Sequence, residues 1–340
     1  MLDILLQYVL FLAEAITMVA AIGIVISMIV GATRKERATE RLEIRNLSDK
    51  YDAMAEMLHR ELLPKKALKQ WEKSEKQKKK EKAKQAGAKD DVRKRVFVLN
   101  FDGDIKASEC AALREEITAI LGFAKPEDEV VVRLESGGGL VHEHGFAASQ
   151  LTRIRQREIP LTVIVDKVAA SGGYMMACVA NHIIAAPFAI IGSIGVLAQL
   201  PNFHRLLDRH GIDFEQIKAG EFKRTVTFFG KNTDEDREKL KEEIEDTHEL
   251  FKAFIAENRP GVDVARVSTG EHWYGTRALE LKLIDKLMTS DDYLLAASKE
   301  ADLYEVSYTA KKSVSERIAA AMQMGMESLI RSFRNAFLHG

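Results

Sequence analysis

Ser171 is the residue best placed to do chemistry in this 340-residue chain. It stands in Val168-Ala169-Ala170-Ser171-Gly172-Gly173-Tyr174-Met175-Met176-Ala177-Cys178, just after the apolar run Leu161-Thr162-Val163-Ile164-Val165. The run predicts a buried strand, and the residues after the glycines a helix. A strand that turns through small residues into a helix leaves a serine on a tight, exposed corner. The N–H groups of Gly172 and Gly173 then lie unpaired at a helix N-terminus. A nucleophilic serine needs this layout, with access for its oxygen and backbone donors for a developing oxyanion. The same residues also fit a serine N-cap followed by packing glycines, in which Ser171 does no chemistry.

A serine nucleophile needs a base. His142 and His144 follow a second glycine corner, Ser136-Gly137-Gly138-Gly139, and a Ser-His pair is conceivable. Both sit where a helix should begin, a place where polar residues are ordinary, and no aspartate is obviously set to orient either. His142-Glu143-His144 lacks the i, i+4 spacing of a helical zinc pair and has no evident third ligand. A dinucleotide fingerprint fails as well, since His142 takes its third glycine position. Lys223 is the other candidate. Phe222, Val226, Phe228 and Phe229 surround it in sequence. A lysine held among apolar groups loses its charge by desolvation, and the neutral amine can take a proton from serine. Lysines beside phenylalanines are also common surface features.

The elements around these residues alternate. Val96-Phe97-Val98-Leu99, Val130-Val131-Val132-Arg133-Leu134, 161–165 and His182-Ile183-Ile184-Ala185-Ala186 predict strands. Residues 108–121 and 141–157 predict helices between them. Such alternation implies an α/β domain with largely parallel pairing. Sites in these sheets form beyond the carboxyl ends of strands, where both glycine corners fall. Further on, 190–196 contains Gly192-Ser193-Ile194-Gly195. Residues 202–209 read as helix, 214–217 as strand and 270–275 as a loop. Thr233 with Asp234, Glu235 and Asp236 opens a long helix with Leu240, Ile244, Thr247, Phe251 and Phe254 on its inner face.

The ends have a different character. Residues 15–32 carry no charge, and with the apolar residues before Glu14 they are long enough to cross a bilayer of roughly 30 Å. The start, Met1-Leu2-Asp3-Ile4, lacks the basic residues of a cleavable signal, so 1–33 is expected to be a retained single-span anchor. Gly23, Ser27 and Gly31 share one face, a weak pairing signal. Arg34, Lys35, Arg37, Arg41 and Arg45 follow the span, which leans the remainder toward the cytoplasm. Residues 44–63 read as helix ended by Pro64. Residues 65–95 hold 14 Lys or Arg against 5 Asp or Glu. That run fits a solvated helix or linker, with a role at anionic lipid second. Nucleic-acid binding is disfavoured, since only Trp71 interrupts the charges. The net charge of −1 hides this asymmetry. Cys110 and Cys178 read as buried free thiols. The expected organisation is 1–33 anchor, 34–94 basic juxtamembrane helix and linker, 95–310 catalytic domain, and 311–340 an amphipathic helix. Ile318, Met322, Met326, Leu329 and Phe333 form a stripe on that last helix, suited to an oligomer contact.

From about 95 to 290 the chain resembles the signal peptide peptidase A family of serine proteases, most closely its SohB branch. The residues that carry this are Ala170-Ser171-Gly172-Gly173-Tyr174, Gly192-Ser193-Ile194-Gly195-Val196 and the segment Gly220-Glu221-Phe222-Lys223-Arg224-Thr225. The resemblance implies a ClpP/crotonase-like fold, a repeated β-β-α superhelix, here with an N-terminal transmembrane helix. It implies a Ser-Lys dyad of Ser171 and Lys223, with Ser193 supporting the lysine and Gly138 and Gly172 as oxyanion donors. It implies a membrane-anchored endopeptidase of the bacterial inner (cytoplasmic) membrane, with the side of its domain open. No metal or cofactor is implied. Substrates would be short hydrophobic or unfolded peptides such as signal-peptide remnants. Ring-like homo-oligomers would complete each site from a neighbour. The family's first corner usually reads Ser-Pro-Gly-Gly; Gly137 replaces that proline and loosens the turn that aims the Gly138 N–H. Two other classes stay open: a crotonase-type acyl-CoA enzyme and a non-catalytic membrane scaffold.

Overall fold

The computed structural model describes residues 41–88, 93–220 and 222–309. The expected anchor and the stripe of the last helix lie outside the described residues. Among the described residues no helix is long and apolar enough to cross a membrane. Residues Glu43–Ser307 form one compact unit.

Its elements run β1 (Arg41–Asn46), α1 (Leu47–Leu62), α2 (Lys65–Ala88), β2 (Arg95–Gly103), α3 (Cys110–Leu121), β3 (Glu129–Ser136), α4 (Val141–Arg155), β4 (Leu161–Val165), β5 (Val168–Ala170) and α5 (Gly172–Ala177). They continue with β6 (His182–Ala185), β7 (Ile190–Gly192), α6 (His204–Arg209), α7 (Asp234–Asn258), α8 (Val264–Val267), β8 (His272–Tyr274), α9 (Gly275–Glu280), β9 (Lys286–Leu287), α10 (Ser290–Ala297) and β10 (Asp302–Thr309).

The sheet runs β1-β10-β2-β3-β4-β6-β9, and every pairing from β10 to β9 is parallel. The register sets Val98 against Val131, and Val132 against Val163. Parallel strands with both faces covered need near-continuous apolar runs, and β4 is buried at all five positions. Successive side chains feed opposite faces. Phe97, Leu99, Val130, Val132 and Val163 join one core with residues of α3, α4, α5 and α7, while Val96, Val98, Val131 and Ile164 join another with Leu47, Leu294 and Leu303. Residues 44–46, expected in a helix, extend β1, and the helix begins only at Leu47, whose side chain enters that second core.

A short branch leaves the main sheet where the site forms. After β4 the chain bends, and β5 pairs with the end of β3 at Ser136↔Ala169 and with β7 at Ala170↔Gly192. β8 closes the branch, antiparallel to β7. The loop expected at 270–275 therefore contains a strand. Residues 214–217, expected as a strand, form none and are exposed, because no neighbouring strand offers them an edge. The capping box at Thr233 forms as its sequence predicts, with Thr233 and Asp236 exchanging hydrogen bonds. Only Phe251 and Ile255 of α7 are fully buried; its first half stays closer to solvent.

Candidate active site

The ends of β3 and β5 lie side by side, so the two glycine corners meet. Ser171 has φ 52° and ψ −119°. This is backbone space that side chains rarely occupy, and non-glycine residues held there cluster at functional sites. The Ser171 N–H is tied to the Gly192 carbonyl at 2.7 Å, and its carbonyl accepts from Met175 N–H at 3.0 Å. Its hydroxyl makes no capping bond to α5. The reading of Ser171 as a helix cap is thus set aside, and its oxygen is uncommitted among the described residues.

Glycines let the corners touch. A Cβ added at Gly138, which has φ +84°, would lie 2.7 Å from the Ser171 Cβ and 2.7 Å from the Gly172 nitrogen. One added at Gly173 would lie 2.3 Å from the Ser136 carbonyl oxygen. Both predicted oxyanion donors thus belong to one contact with the predicted nucleophile. They differ in one respect. The Gly172 N–H, at the start of α5, has no acceptor among the described residues. The Gly138 N–H donates to the Ser136 Oγ at 3.2 Å.

The histidines part company. His142 is exposed and faces the Glu143 carboxylate, Nε2 to Oε1 3.7 Å. His144 is fully buried, with Nε2 3.2 Å from the Ser136 Oγ and Nδ1 3.2 Å from the Leu140 carbonyl. Its ring fills the place a Gly172 side chain would take, since a Cβ there would lie 2.5 Å from the His144 Cγ. His144 belongs to the framework under the corner, and its spent ring nitrogens remove it as a base. Sequence reasoning missed the part Ser136 plays. The available signal was a hydroxyl two residues before a donor glycine, a spacing that favours side-chain to backbone bonding.

Ser193 repeats the geometry of Ser171, with φ 52° and its N–H on the Glu271 carbonyl at 2.7 Å. Its Oγ lies 3.5 Å from the Gly270 carbonyl. Lys223 sits in a turn closed by its N–H on the Gly220 carbonyl at 3.2 Å. Among the described residues the apolar surroundings its sequence predicts are not built: Lys223 and Phe222 are both exposed. Among the described residues of 196–232, α6 is the one regular element. Tyr174 is buried, with its hydroxyl on the Leu283 carbonyl at 2.9 Å, and burial pushes its pKa up. Both cysteines are buried free thiols, and burial raises each pKa, which removes them as thiolate nucleophiles.

Comparison with known proteins gives the following matches. Residues 3–151 match the model of the peptidase family S49 N-terminal region, and residues 153–304 that of peptidase family S49. A "Probable protease SohB" of Haemophilus influenzae is 47% identical over 340 residues, covering 97% of this chain and 96% of that protein. Another from Buchnera aphidicola of Acyrthosiphon pisum is 54% identical over 242 residues, covering 71% of this chain and 72% of its own. The solved 1510-N membrane-bound stomatin-specific protease is similar at 16% identity and TM-score 0.39, covering 60% of this chain and 84% of its own. With its two halves matched in order and a relative aligned almost end to end, the chain belongs to peptidase family S49.

Proposed function

We propose that this peptidase is a serine endopeptidase in which Ser171 attacks the peptide carbonyl and Lys223 takes and returns the proton. The observation that carries this is the corner itself. Ser171 is held at φ 52° by the Gly192 carbonyl, its hydroxyl is uncommitted, and Gly138 and Gly172 lie against it. Gly138 and Gly172 supply the oxyanion donors, each worth a factor of about 10² to 10³ in kcat. Ser193, one residue beyond the register partner of Ala170, supports the lysine.

Because Lys223 is exposed in a single chain, the dyad is completed in a homo-oligomer. The apolar side chains on the same segment support this: Leu197 is 75% exposed and Ile217 97%. Burial in such a contact disfavours the ammonium and makes the amine a base. The fold is read as ClpP/crotonase-like, with β4, β5 and α5 as one β-β-α unit. Residues 1–33 anchor the enzyme in a bacterial inner membrane. Its substrates are short hydrophobic or unfolded peptides of the signal-peptide-remnant type. The chemistry needs no cofactor.

The test compares the full-length protein with Ser171→Ala and Lys223→Ala on an unfolded protein and a peptide library. Cleavage lost in both folded variants supports the dyad. Cleavage kept in Lys223→Ala removes lysine as the base. A folded, assembled wild type that cleaves nothing returns the scaffold alternative.

A further inference from the structure

The peptide between Gly137 and Gly138 is open on its Gly137 side, while Gly138 lies against the Ser171 corner. On one side β3 fixes Ser136, which is buried and paired through its neighbour Ala169. On the other side the chain is pinned to Ile105. The Leu140 N–H donates to the Ile105 carbonyl at 2.9 Å, and a Cβ on Gly139 would lie 2.1 Å from that oxygen. Between these anchors a Cβ on Gly137 would meet nothing within 4 Å. Turning one peptide plane changes ψ of the residue before it and φ of the residue after it. Both are glycines here, so no side chain on either residue opposes the turn. Among the described residues the Gly138 N–H has one acceptor, the Ser136 hydroxyl at 3.2 Å.

His144 decides how that hydroxyl behaves. The Leu140 carbonyl can only accept, so the His144 Nδ1 carries a proton toward it. In the neutral ring Nε2 then accepts, and the Ser136 hydroxyl has one proton to give. His144 Nε2 is 3.2 Å away and the Gly103 carbonyl 3.4 Å. With its proton spent on His144, the Ser136 oxygen presents lone pairs to the Gly138 N–H. A hydrogen-bonded chain results, from Gly138 N–H to Ser136 to His144 to the Leu140 carbonyl, with every member satisfied.

Taking Ser171 as the nucleophile, as proposed above, we infer that Ser136 is a competing acceptor that holds the Gly138 N–H in reserve, with His144 as the positioning residue that orients it. A tetrahedral oxyanion at Ser171 takes the N–H by turning the Gly137–Gly138 peptide. The substrate, whose carbonyl carries little charge, does not. The holding bond therefore weighs against the transition state and leaves ground-state binding alone.

The experiment uses the full-length protein and an alanyl peptide boronic acid, which adds to a serine oxygen as a tetrahedral anion. Wild type, Ser136→Ala and Ser136→Cys are compared for kcat, KM and boronate Ki. The thiol is larger than the hydroxyl and accepts hydrogen bonds only weakly. Releasing one bond of ordinary net strength should raise kcat and lower Ki about three- to tenfold, with KM within about twofold. Ser136→Cys gives the answer if Ser136→Ala does not fold. Unchanged or weaker boronate binding by a folded variant, with wild type inhibited, makes Ser136 simple framework and overturns the inference alone. A wild type that forms no adduct at Ser171 removes the serine-peptidase reading and this inference together.

Discussion

Ser171 and Ser193 stand at the same level on neighbouring parallel strands: each directly follows one member of the register pair Ala170↔Gly192, and each has φ of 52°. Two non-glycine residues in the left-handed region, side by side, are stored strain, since each such residue costs on the order of 1–3 kcal/mol. At Ser171 the strain is maintained by its N–H on Gly192 and by α5, which starts at the next residue.

Stability and activity should therefore pull apart at Ser171. Ser171→Ala keeps the Cβ and with it the strain; Ser171→Gly removes both. Relief of strain exceeds the extra chain entropy of glycine, so Ser171→Gly should be more stable than Ser171→Ala by about 1 kcal/mol. Both should be inactive. Urea unfolding of the two variants checks this, and a less stable glycine variant would show the corner to be unstrained.

Much of this arrangement is readable in sequence, for physical reasons. β4 and the first half of β3 are buried on both faces, so their apolar residues run consecutively and not in alternation. The corners show because only small residues permit two backbones to approach as Gly138 and Ser171 do. What fails to show is set by partners far along the chain. β8 is three residues long and has no periodicity to detect. Phe214 and Ile217 have strand-forming side chains but no strand to pair with, and both stay exposed. His144 has two readings in sequence because its burial depends on the missing side chain of Gly172, 28 positions away. Lys223 has apolar neighbours in sequence that one chain does not fold around it.

Gly173 and Gly145 make a matched pair for testing the contact between the corners. A Cβ on Gly173 would press on the Ser136 carbonyl at 2.3 Å, and backbone must move to admit it. Gly173→Ala should cost about 1–3 kcal/mol by overpacking. The displaced donors should lower kcat about 10²-fold. A Cβ on Gly145, inside α4, would meet only the Met175 Sδ at 3.9 Å. Gly145→Ala should therefore stabilise the helix by up to about 1 kcal/mol and leave activity unchanged. Equal behaviour of the two variants would show the corner contact to be loose.

Gly137→Pro asks whether the missing proline matters. Gly137 is not among the glycines with positive φ, and there is open space at its Cβ. A proline Cβ meets nothing there, and the residue before it, Ser136, is already extended in β3. Restricting the unfolded chain should add about 0.4–1 kcal/mol of stability. A large loss of stability would mean that Gly137 uses a conformation closed to proline.

Acid sensitivity should be traceable to Asp128. Its side chain is 4% exposed at the start of β3 and accepts from Arg95 N–H at 3.1 Å, Arg95 Nε at 2.9 Å and Lys125 N–H at 2.8 Å. Burial alone would raise its pKa. The Arg95 guanidinium and the two backbone donors outweigh that, and the carboxyl titrates below the usual carboxylate range. A group whose pKa is lowered by folding binds protons more readily when unfolded. Its contribution is therefore complete above the ordinary Asp value of about 4 and is lost as pH falls below it. Asp128→Asn leaves Arg95, 13% exposed, without its counter-charge and should cost about 3 kcal/mol at pH 7. Between pH 7 and pH 3 the wild type should lose more stability than the variant, so the gap between them narrows. Urea unfolding of both proteins at the two pH values measures it. A gap that stays constant would mean that the Asp128 carboxylate is not what acid removes.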